Sequence, residues 1–471
     1  MATTTVHTGD FCDVAQYYNT VLNRDKTTFC TKNDESTPIE LVSEIIAKIP
    51  HELWMRNDLK ILDPCCGNGN FTLPMYDRLT KSPYDRAPKD VLENTIYMTD
   101  VNEKRIANVR TIYGRVPSDT DTGIDKIAPS VQQCDFMTTH ETLVGKFRDF
   151  RFPTQYDLII ANPPYAKIDH DGKRSAKNHN MIRPFVQQCI SLLARDGYLV
   201  LLIPDNWMSK SDRNDLCLTL TGGAAGGSGV GDIQIIHLDI HTAKRYFKGI
   251  GSSFTWFIAK MVSPNNPVGQ TMTVSGVWKG RAYLDSQVSC MIRSYIPLLY
   301  DSTVQRILEK TVERGSGPMA TIGATVSCEL HRTTKKTLLS EIQTGIFCHR
   351  IVHTPKQILW CSRAHGLQKQ VKIFISITDK YSVWVDAGES GMTQAVMYVL
   401  CGSVSEAECL CAQLMHPLFV FLNNICRWGK FNNIRVVQSF PRIPMGLVDE
   451  RGVFDYFGLT DSERVFVLMN L

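Results

Sequence analysis

The sequence predicts an α/β protein: an open, largely parallel sheet with helices on both faces, followed by a region of mixed α+β structure. Strand and helix signals alternate as far as about residue 262, and polar side chains stand where apolar strands end. A stretch rich in Pro and Asn, 263–269, then reads as a linker, beyond which short strands and basic loops follow. We therefore expect an N-terminal arm (1–35), an α/β domain (36–262), a linker (263–275) and a mixed α+β domain (276–471).

The first informative strand, at residues 59–63, runs into a tight glycine turn. It ends at Asp63, and Gly67 and Gly69 follow shortly after. Glycine lets the backbone approach a ligand and adopt dihedral angles that other residues avoid. A dinucleotide-binding loop would need a third glycine, which is missing here. The turn therefore predicts a ligand site of a different kind.

Two further strands also end in acidic side chains. Residues 94–100 end at Asp100, a carboxylate suited to binding the two hydroxyls of a ribose. A third strand end, 131–136, offers Asp135 and Phe136 for the edge and face of an adenine. The alternative is three ordinary strand-to-loop turns with polar tips, which the common placement of the three tips disfavours.

The apolar run 157–161 ends abruptly in Asn162, two prolines and Tyr165. Proline has no N–H to donate, so the strand stops and leaves a stiff backbone at a sheet end, where α/β proteins bind ligands. An amide, a free carbonyl and a flat ring held together suit a planar group that carries an exocyclic amine. An ordinary Pro-Pro turn after a strand is the alternative interpretation.

Together these motifs resemble the S-adenosylmethionine-dependent DNA amino-methyltransferases, specifically the N6-adenine enzymes of the gamma arrangement typified by the TaqI methyltransferase. The resemblance is carried by residues 36–46, 63–71 and 162–165, whose order along the chain is the gamma order. It covers about the first 260 residues, and the remainder matches only loosely. It implies a Rossmann-like methyltransferase sheet followed by a DNA-recognition domain.

By this resemblance, S-adenosylmethionine is the cofactor and the target is an adenine N6 amine in duplex DNA. Asn162 and the carbonyl of Pro163 would accept hydrogen bonds from the amine, and Tyr165 would stack on the base. The implied catalytic residues are Asn162, Pro163, Pro164 and Tyr165. The implied cofactor-binding residues are Thr37, Asp63, Pro64, Gly67, Gly69, Asp100, Asp135 and Phe136.

The target atom lies inside a base stack, so such an enzyme must extrude the nucleotide. In the family a second aromatic residue then covers the other face of the base. Phe254 and Trp256 share one face of a predicted strand and are the candidates, since strand side chains alternate. A core strand that contains aromatic residues is the alternative.

Basic charge is concentrated in the second region, although the whole chain carries only +4. Between His331 and Lys372 one acid, Glu341, stands against eight basic residues, which favours a DNA-contacting surface over a merely solvated one. The eight are Arg332, Lys335, Lys336, Arg350, Lys356, Arg363, Lys369 and Lys372. The candidate DNA-binding residues are Lys335, Lys336, Arg350, Arg427 and Lys430, with Lys173 and Arg174 in a lid or phosphate clamp after the Asn-Pro-Pro-Tyr motif.

Composition sets broader limits. Fifteen cysteines without a Cys-x-x-Cys pair argue against a zinc site and a disulfide scaffold, and we expect no metal. The start of the chain lacks the features of a secretory signal, and no apolar run is long enough to span a membrane. We expect a soluble, intracellular monomer whose partners are double-stranded DNA and, as a candidate, a separate restriction endonuclease acting on the same site.

Two alternatives to DNA methylation remain open. Glutamine side chains and the bases of RNA also present a planar amine, so an RNA or protein-glutamine amino-methyltransferase shares the same core chemistry. A non-catalytic DNA-binding subunit is the other alternative, but it would be expected to lose Asp63, Gly67, Asn162 or Tyr165. All four are present.

Overall fold

The computed structural model forms two compact units, each with its own core. It describes residues 10–28, 35–116, 125–138, 140–149, 152–165, 181–210, 216–221, 232–247, 251, 253–262, 271–290, 294–314, 321–427 and 431–471. The first unit comprises Met1–Asp205 and Asp215–Arg293, and the second comprises Asn206–Asn214 and Ser294–Leu471.

The first unit is built on a nine-stranded sheet. Its strands are β1 (Ile61–Asp63), β2 (Ile96–Asp100), β5 (Ser130–Gln133), β6 (Tyr156–Ala161), β7 (Leu193–Pro204), β8 (Asp232–Ile240), β9 (Phe254–Val262), β10 (Thr271–Trp278) and β11 (Arg281–Ser289). Two short strands, β3 (Arg115–Val116) and β4 (Asp125–Lys126), form a separate pair. The spatial order is β11-β10-β8-β9-β7-β6-β1-β2-β5. The run from β7 to β5 is parallel throughout, whereas β9 pairs antiparallel with both of its neighbours.

Burial explains why the central strands read as continuous apolar runs. Every residue of β1 and β2 is buried, because the strands of a parallel sheet are covered on both faces. The α/β fold predicted from the alternating strand and helix signals is confirmed.

The helices of this unit are α1 (Phe11–Thr20), α2 (Ile39–Lys48), α3 (His51–Trp54), α4 (Thr72–Thr80), α5 (Pro88–Asp90), α6 (Glu103–Tyr113), α7 (His140–Asp149), α8 (Ile182–Leu192) and α9 (Leu216–Leu220).

The predicted domain boundaries require correction at both ends of the first unit. β10 pairs in parallel with β8, and β11 pairs with β10, so these strands extend the sheet instead of opening a second domain at residue 276. Of the expected linker 263–275, residues 263–270 lie outside the described residues. At the other end, α1 falls within the expected N-terminal arm, yet its Val14 and Tyr18 are buried in the core of this unit.

The second unit contains two four-stranded sheets and a set of helices. The first sheet has the order β12-β19-β16-β17 and the second β13-β15-β14-β18. The strands are β12 (Thr325–Val326), β13 (Leu339–Ser340), β14 (His349–Thr354), β15 (Gln357–Cys361), β16 (Lys372–Ser376), β17 (Val383–Asp386), β18 (Gly391–Met392) and β19 (Val396–Leu400). The helices are α10 (Ser302–Lys310), α11 (Val404–Leu414), α12 (Pro417–Cys426), α13 (Ile434–Gln438), α14 (Glu450–Tyr456) and α15 (Asp461–Met469).

Among the described residues, no single helix has the length and apolar character needed to cross a membrane. In that part of the chain, α11 and α12 meet those two criteria when taken together, with a bend of 61° at the break between them.

Candidate functional site

Four polar side chains stand at the carboxyl ends of four neighbouring parallel strands. The strands β6, β1, β2 and β5 are adjacent in that order. Asn162 follows β6, Asp63 ends β1, Asp100 ends β2, and Asp135 lies two residues beyond β5. The carboxyl edge of an open α/β sheet is where such folds bind ligands. The structure therefore brings together at one edge the strand ends that the sequence marked out separately.

The glycine turn after β1 adopts a conformation that glycine permits. Gly67 and Gly69 have φ angles of +57° and +87°, in the left-handed region. A Cβ atom at Gly69 would also lie 2.9 Å from the ring of Tyr113. The turn is fastened to the next strand, because the Gly67 N–H donates to Asp100 Oδ2 at 2.9 Å.

Two buried tyrosines hold the same turn from the opposite side. The Tyr18 hydroxyl donates to the carbonyl of Asn68 at 2.7 Å, and the Tyr113 hydroxyl donates to the carbonyl of Gly69 at 3.0 Å. Burial raises the pKa of both phenols, so both remain neutral donors. Sequence reasoning missed these residues, since each lies more than 40 positions from the residue whose carbonyl it bonds.

Asp63 is the most buried of the acidic side chains at this edge, with 0% of its surface exposed. Its Oδ1 accepts from the Cys65 N–H at 3.3 Å, while Oδ2 has no hydrogen-bond partner in the described part of the chain. Burial raises the pKa of this carboxyl well above its ordinary value. A donor or cation placed against Oδ2 would offset that desolvation.

Asp100 also joins backbone groups on both sides. Its Oδ1 accepts from the Asn102 N–H at 2.8 Å, and Arg105 lies 4.0 Å from Oδ2. Asn102 in turn caps α6 through its side-chain oxygen. The carboxylate is thus held in one orientation at the end of β2.

The third strand end differs from the first two in exposure. Asp135 is exposed, and its Oδ1 accepts from the Met137 N–H at 2.8 Å. Phe136 is only 3% exposed and packs against Phe185, with ring centroids 5.0 Å apart. The adenine-binding role of this pair stays a prediction.

The amide of Asn162 has a defined orientation. Its Nδ2 donates to Thr37 Oγ1 at 3.0 Å and to the carbonyl of Glu35 at 3.4 Å. Because a backbone carbonyl accepts only, the nitrogen must face it and Oδ1 must face the other way. On that other side Oδ1 accepts from the Tyr165 hydroxyl. Oδ1, the atom that can accept a hydrogen bond from an amine, therefore points away from the carbonyl of Glu35.

Thr37 is itself held firmly. It is 4% exposed, and its carbonyl accepts from Asn70 Nδ2 at 2.7 Å, which also donates to Asn23. Its hydroxyl does not cap α2, whose N-cap is Pro38 and has no side-chain cap bond. Thr37, predicted as a cofactor ligand, therefore contacts the amide of the Asn-Pro-Pro-Tyr motif, and Asn70 is a supporting residue that sequence reasoning missed.

A cysteine joins the glycine turn to the Asn-Pro-Pro-Tyr motif. The thiol of Cys65 donates to the carbonyl of Asn162 at 3.4 Å. Burial raises the pKa of this thiol well above its ordinary value, so it stays protonated and able to donate. This contact places the two motifs side by side.

The two candidate stacking residues have different surroundings. Phe254 lies beside Tyr165, with ring centroids 6.0 Å apart and ring planes inclined at 41°. Trp256 is 3% exposed and packs on His237 at 4.8 Å. Of the two candidates, Phe254 is the one whose ring lies next to Tyr165 in the described part of the chain.

The basic residues predicted to bind DNA differ in their exposure to solvent. Lys335 and Lys336 are exposed, while Arg350 and Arg427 are half-buried and bond Ser390 and the carbonyl of Asp379. Lys173, Arg174 and Lys430 lie outside the described residues.

Lys372, counted in the basic cluster, must be removed from it. It is 0% exposed, and its Nζ donates to three backbone carbonyls and to Asp386 at 2.7 Å. A buried ammonium requires such partners, so this lysine serves the packing of the unit and adds no surface charge.

Comparison with known proteins finds sequence similarity to restriction-modification enzymes. A family model described as Eco57I restriction-modification methylase matches residues 93–217, which hold Asp100, Asp135 and the Asn162–Tyr165 motif. This segment resembles a restriction-modification methylase. The curated type II restriction enzyme and methyltransferase RM.BcgI of Heyndrickxia coagulans is 23% identical over 156 residues, which are 33% of this chain and 22% of that relative.

Three solved structures share the fold over nearly the whole chain. The type IIL enzyme MmeI in complex with DNA has a TM-score of 0.53 at 9% identity, covering 98% of this chain and 76% of that one. A DrdV–DNA complex has a TM-score of 0.54 at 10% identity, covering 98% and 60%. A nuclease-deletion mutant of the type ISP enzyme LlaGI has a TM-score of 0.53 at 12% identity, covering 93% and 47%.

Proposed function

We propose that this protein is a DNA methyltransferase that moves the methyl group of S-adenosylmethionine to the N6 amine of an adenine. The observation that carries the proposal is the amide of Asn162, which is oriented by Thr37 and the carbonyl of Glu35 and lies beside the glycine turn. The match of residues 93–217 to a restriction-modification methylase family supports a DNA substrate. The gamma order of the motifs supports adenine as the base.

The residues present at the sheet edge fit the proposed cofactor. S-adenosylmethionine supplies an electrophilic methyl carbon attached to a sulfonium centre. Asp63 would take up its ammonium group, since Oδ2 is buried and has no partner among the described residues. Asp100 would bind the ribose hydroxyls, and Asp135 with Phe136 the adenine. The backbone of Gly67 and Gly69, together with Pro64 and Thr37, would border the amino-acid end.

Asn162 and the carbonyl of Pro163 would raise the reactivity of the target amine. The lone pair of an aromatic amine is delocalised into the ring, which makes it a poor nucleophile. Two acceptors on its hydrogens favour tetrahedral geometry at nitrogen and stabilise the positive charge that develops during transfer. In-line placement of donor and acceptor then supplies much of the remaining rate.

Tyr165 occupies the acceptor that the substrate amine needs. Its hydroxyl donates to Asn162 Oδ1. The proposed binding step exchanges that hydroxyl for the adenine amine and leaves the ring free to stack on the extruded base. Phe254, the candidate whose ring lies beside Tyr165, would cover the other face.

Duplex DNA is the proposed substrate of this chain, which acts as a monomer in the proposal. A separate restriction endonuclease acting on the same site is the proposed further partner. Pro164 completes the catalytic motif by stiffening the backbone between the Pro163 carbonyl and Tyr165.

The experiment that tests the proposal is transfer of a labelled methyl group. The protein is incubated with S-adenosylmethionine carrying a deuterated methyl group and with duplex DNA, RNA or a protein extract. Mass spectrometry of the hydrolysed products should find labelled N6-methyladenine in DNA alone. Labelled cytosine, labelled RNA, labelled glutamine or no transfer at all would each contradict the proposal.

A further inference from the structure

We propose that Arg332 reads a guanine in the DNA sequence that this protein recognises. The surface around it is formed by Arg332, Lys335, Lys336, Ile342 and Lys356, and is called the Arg332 surface below. On this proposal it faces the major groove of duplex DNA. The inference rests on the proposed function, because it supplies the sequence recognition that a DNA methyltransferase needs.

The guanidinium of Arg332 is fixed on its protein side. Its Nη1 donates to His353 Nε2 at 3.0 Å and to Gln357 Oε1 at 3.3 Å. Its backbone N–H donates to Gln394 Oε1 at 3.0 Å. An arginine held in this way loses less rotamer entropy when it binds than a lysine free in solvent.

The histidine that holds Arg332 is neutral. His353 is 7% exposed, and its Nε2 must accept from Arg332 because a guanidinium can only donate. The ring proton is then on Nδ1, which lies 2.7 Å from Thr393 Oγ1. Burial first, and then the charge of Arg332, lower the pKa of this imidazole. A buried neutral histidine whose lone pair is aimed at an arginine orients the guanidinium without neutralising its charge.

The solvent side of the guanidinium is held only weakly. Nη2 lies 3.4 Å from Glu341, whose side chain is 72% exposed, and an exposed ion pair of this length contributes little energy. Within the part of the chain that the structure describes, Nε of Arg332 has no acceptor. Its outer edge can therefore exchange Glu341 for the O6 and N7 atoms of guanine, which a guanidinium binds with two hydrogen bonds.

The neighbouring side chains suit a nucleic acid. Lys335 and Lys336 are exposed shortly after Arg332, and Lys356 is exposed in the turn between β14 and β15, next to Gln357. Phosphates require such cations, and these contacts carry no sequence information. Ile342, beside Glu341, is 72% exposed, an apolar side chain of the kind that contacts a thymine methyl group or a base step.

An acidic protein partner is the alternative, because a carboxylate can also accept two hydrogen bonds from a guanidinium. The proposed DNA substrate favours the nucleic acid, since the exposed lysines beside Arg332 then contact phosphates. A planar fork backed by a buried histidine is suited to one fixed pair of acceptors. The base edge of a G·C pair presents such a pair in the major groove.

The test is to sequence methylated adenines in a random DNA library treated with the wild-type chain and with variants. Arg332→Lys keeps the charge and loses the fork, and Arg332→Ala loses both. Both variants should accept other base pairs at one G·C position of the wild-type recognition sequence, with discrimination there reduced about tenfold or more. Lys336→Gln is the matched control and should slow methylation at all sequences alike, leaving the recognition sequence unchanged.

Two outcomes distinguish failure of the proposed function from failure of the inference about Arg332. If the wild-type chain leaves the library unmethylated, the proposed function fails before Arg332 is examined. If the wild-type chain methylates a defined sequence and Arg332→Lys keeps that sequence, the inference about Arg332 is wrong. Thermal unfolding of each variant identifies a merely structural role, and if Arg332→Ala does not fold, the result for Arg332→Lys decides.

Discussion

The polar cluster around Asn162 in the first unit and the Arg332 surface in the second unit hold their key side chains in contrasting ways. Asn162 is oriented by a buried hydroxyl and a backbone carbonyl, and its neighbours Thr37 and Asp63 are almost wholly inaccessible. Arg332 is fixed by a buried histidine on one side and held only weakly by an exposed glutamate on the other. In each place the atom proposed to meet the substrate has a partner that the substrate would replace. At Asn162 that partner is the half-buried Tyr165 of the same motif, whereas at Arg332 it is the exposed Glu341.

The largest effect should come from Asn162→Ala. Removing one preorganised acceptor of the target amine should lower the methyl-transfer rate by about 100-fold or more, by analogy with the loss of one oxyanion-hole group. Cofactor affinity should change little, because the three carboxylates proposed to bind the cofactor stand at or just beyond the ends of β1, β2 and β5. Single-turnover kinetics measure the methyl-transfer rate, and calorimetry measures the cofactor affinity. Retained turnover would remove Asn162 from its proposed role.

The next effect concerns the cofactor. Asp63→Asn keeps the volume and removes the charge, so S-adenosylmethionine should bind about tenfold or more weakly, as expected for a lost hydrogen bond to a charged group. Asp135→Asn is the control at an exposed strand end and should have a smaller effect. Equal dissociation constants for wild type and Asp63→Asn would show that the buried carboxylate does not meet the cofactor.

Substitutions of Thr37 should show whether it orients the Asn162 amide or binds the cofactor. Thr37→Val removes the acceptor for Asn162 Nδ2 at nearly constant volume, so the transfer rate should fall about fivefold, in proportion to one ordinary hydrogen bond. Thr37→Ser keeps the hydroxyl and should restore most of the rate. A loss of cofactor affinity in Thr37→Val with an unchanged rate constant would instead return Thr37 to the cofactor site.

The sequence predicted those parts of the site that depend on local pattern. The strand ending at Asp100, the glycine turn after Asp63 and the Asn-Pro-Pro-Tyr corner each join a short apolar run to a stiff or permissive turn, which is visible in a few residues. Their convergence then follows from parallel pairing, since the carboxyl ends of parallel strands share an edge.

The contacts that support the site could not be predicted in the same way. Tyr18 reaches the glycine turn across 50 positions, and Asn70 reaches Thr37 across 33, so neither pairing has a local signal. Lys372 illustrates the opposite error, since a basic residue in a basic run reads as surface until its carbonyl partners are known. β10 was missed because strand pairing across the predicted linker depends on long-range contacts.

The smallest effect should come from the surface lysines of the second unit. Lys335→Gln and Lys336→Gln should each reduce the slope of log affinity against log salt by about one, because each removes about one phosphate contact. Binding to specific and non-specific DNA should weaken alike. Titrations at several salt concentrations measure the slope, and an unchanged slope would place the DNA-contacting surface elsewhere.

The most direct test of the account is a structure of the protein bound to the methyl-free cofactor product and to DNA that contains the recognised adenine. We predict an extruded adenine whose N6 lies about 3 Å from both Asn162 Oδ1 and the Pro163 carbonyl, with the Tyr165 hydroxyl displaced from Oδ1. A bound duplex with its adenine still stacked, or extruded to a position away from Asn162 while Tyr165 keeps its bond to Oδ1, would contradict it.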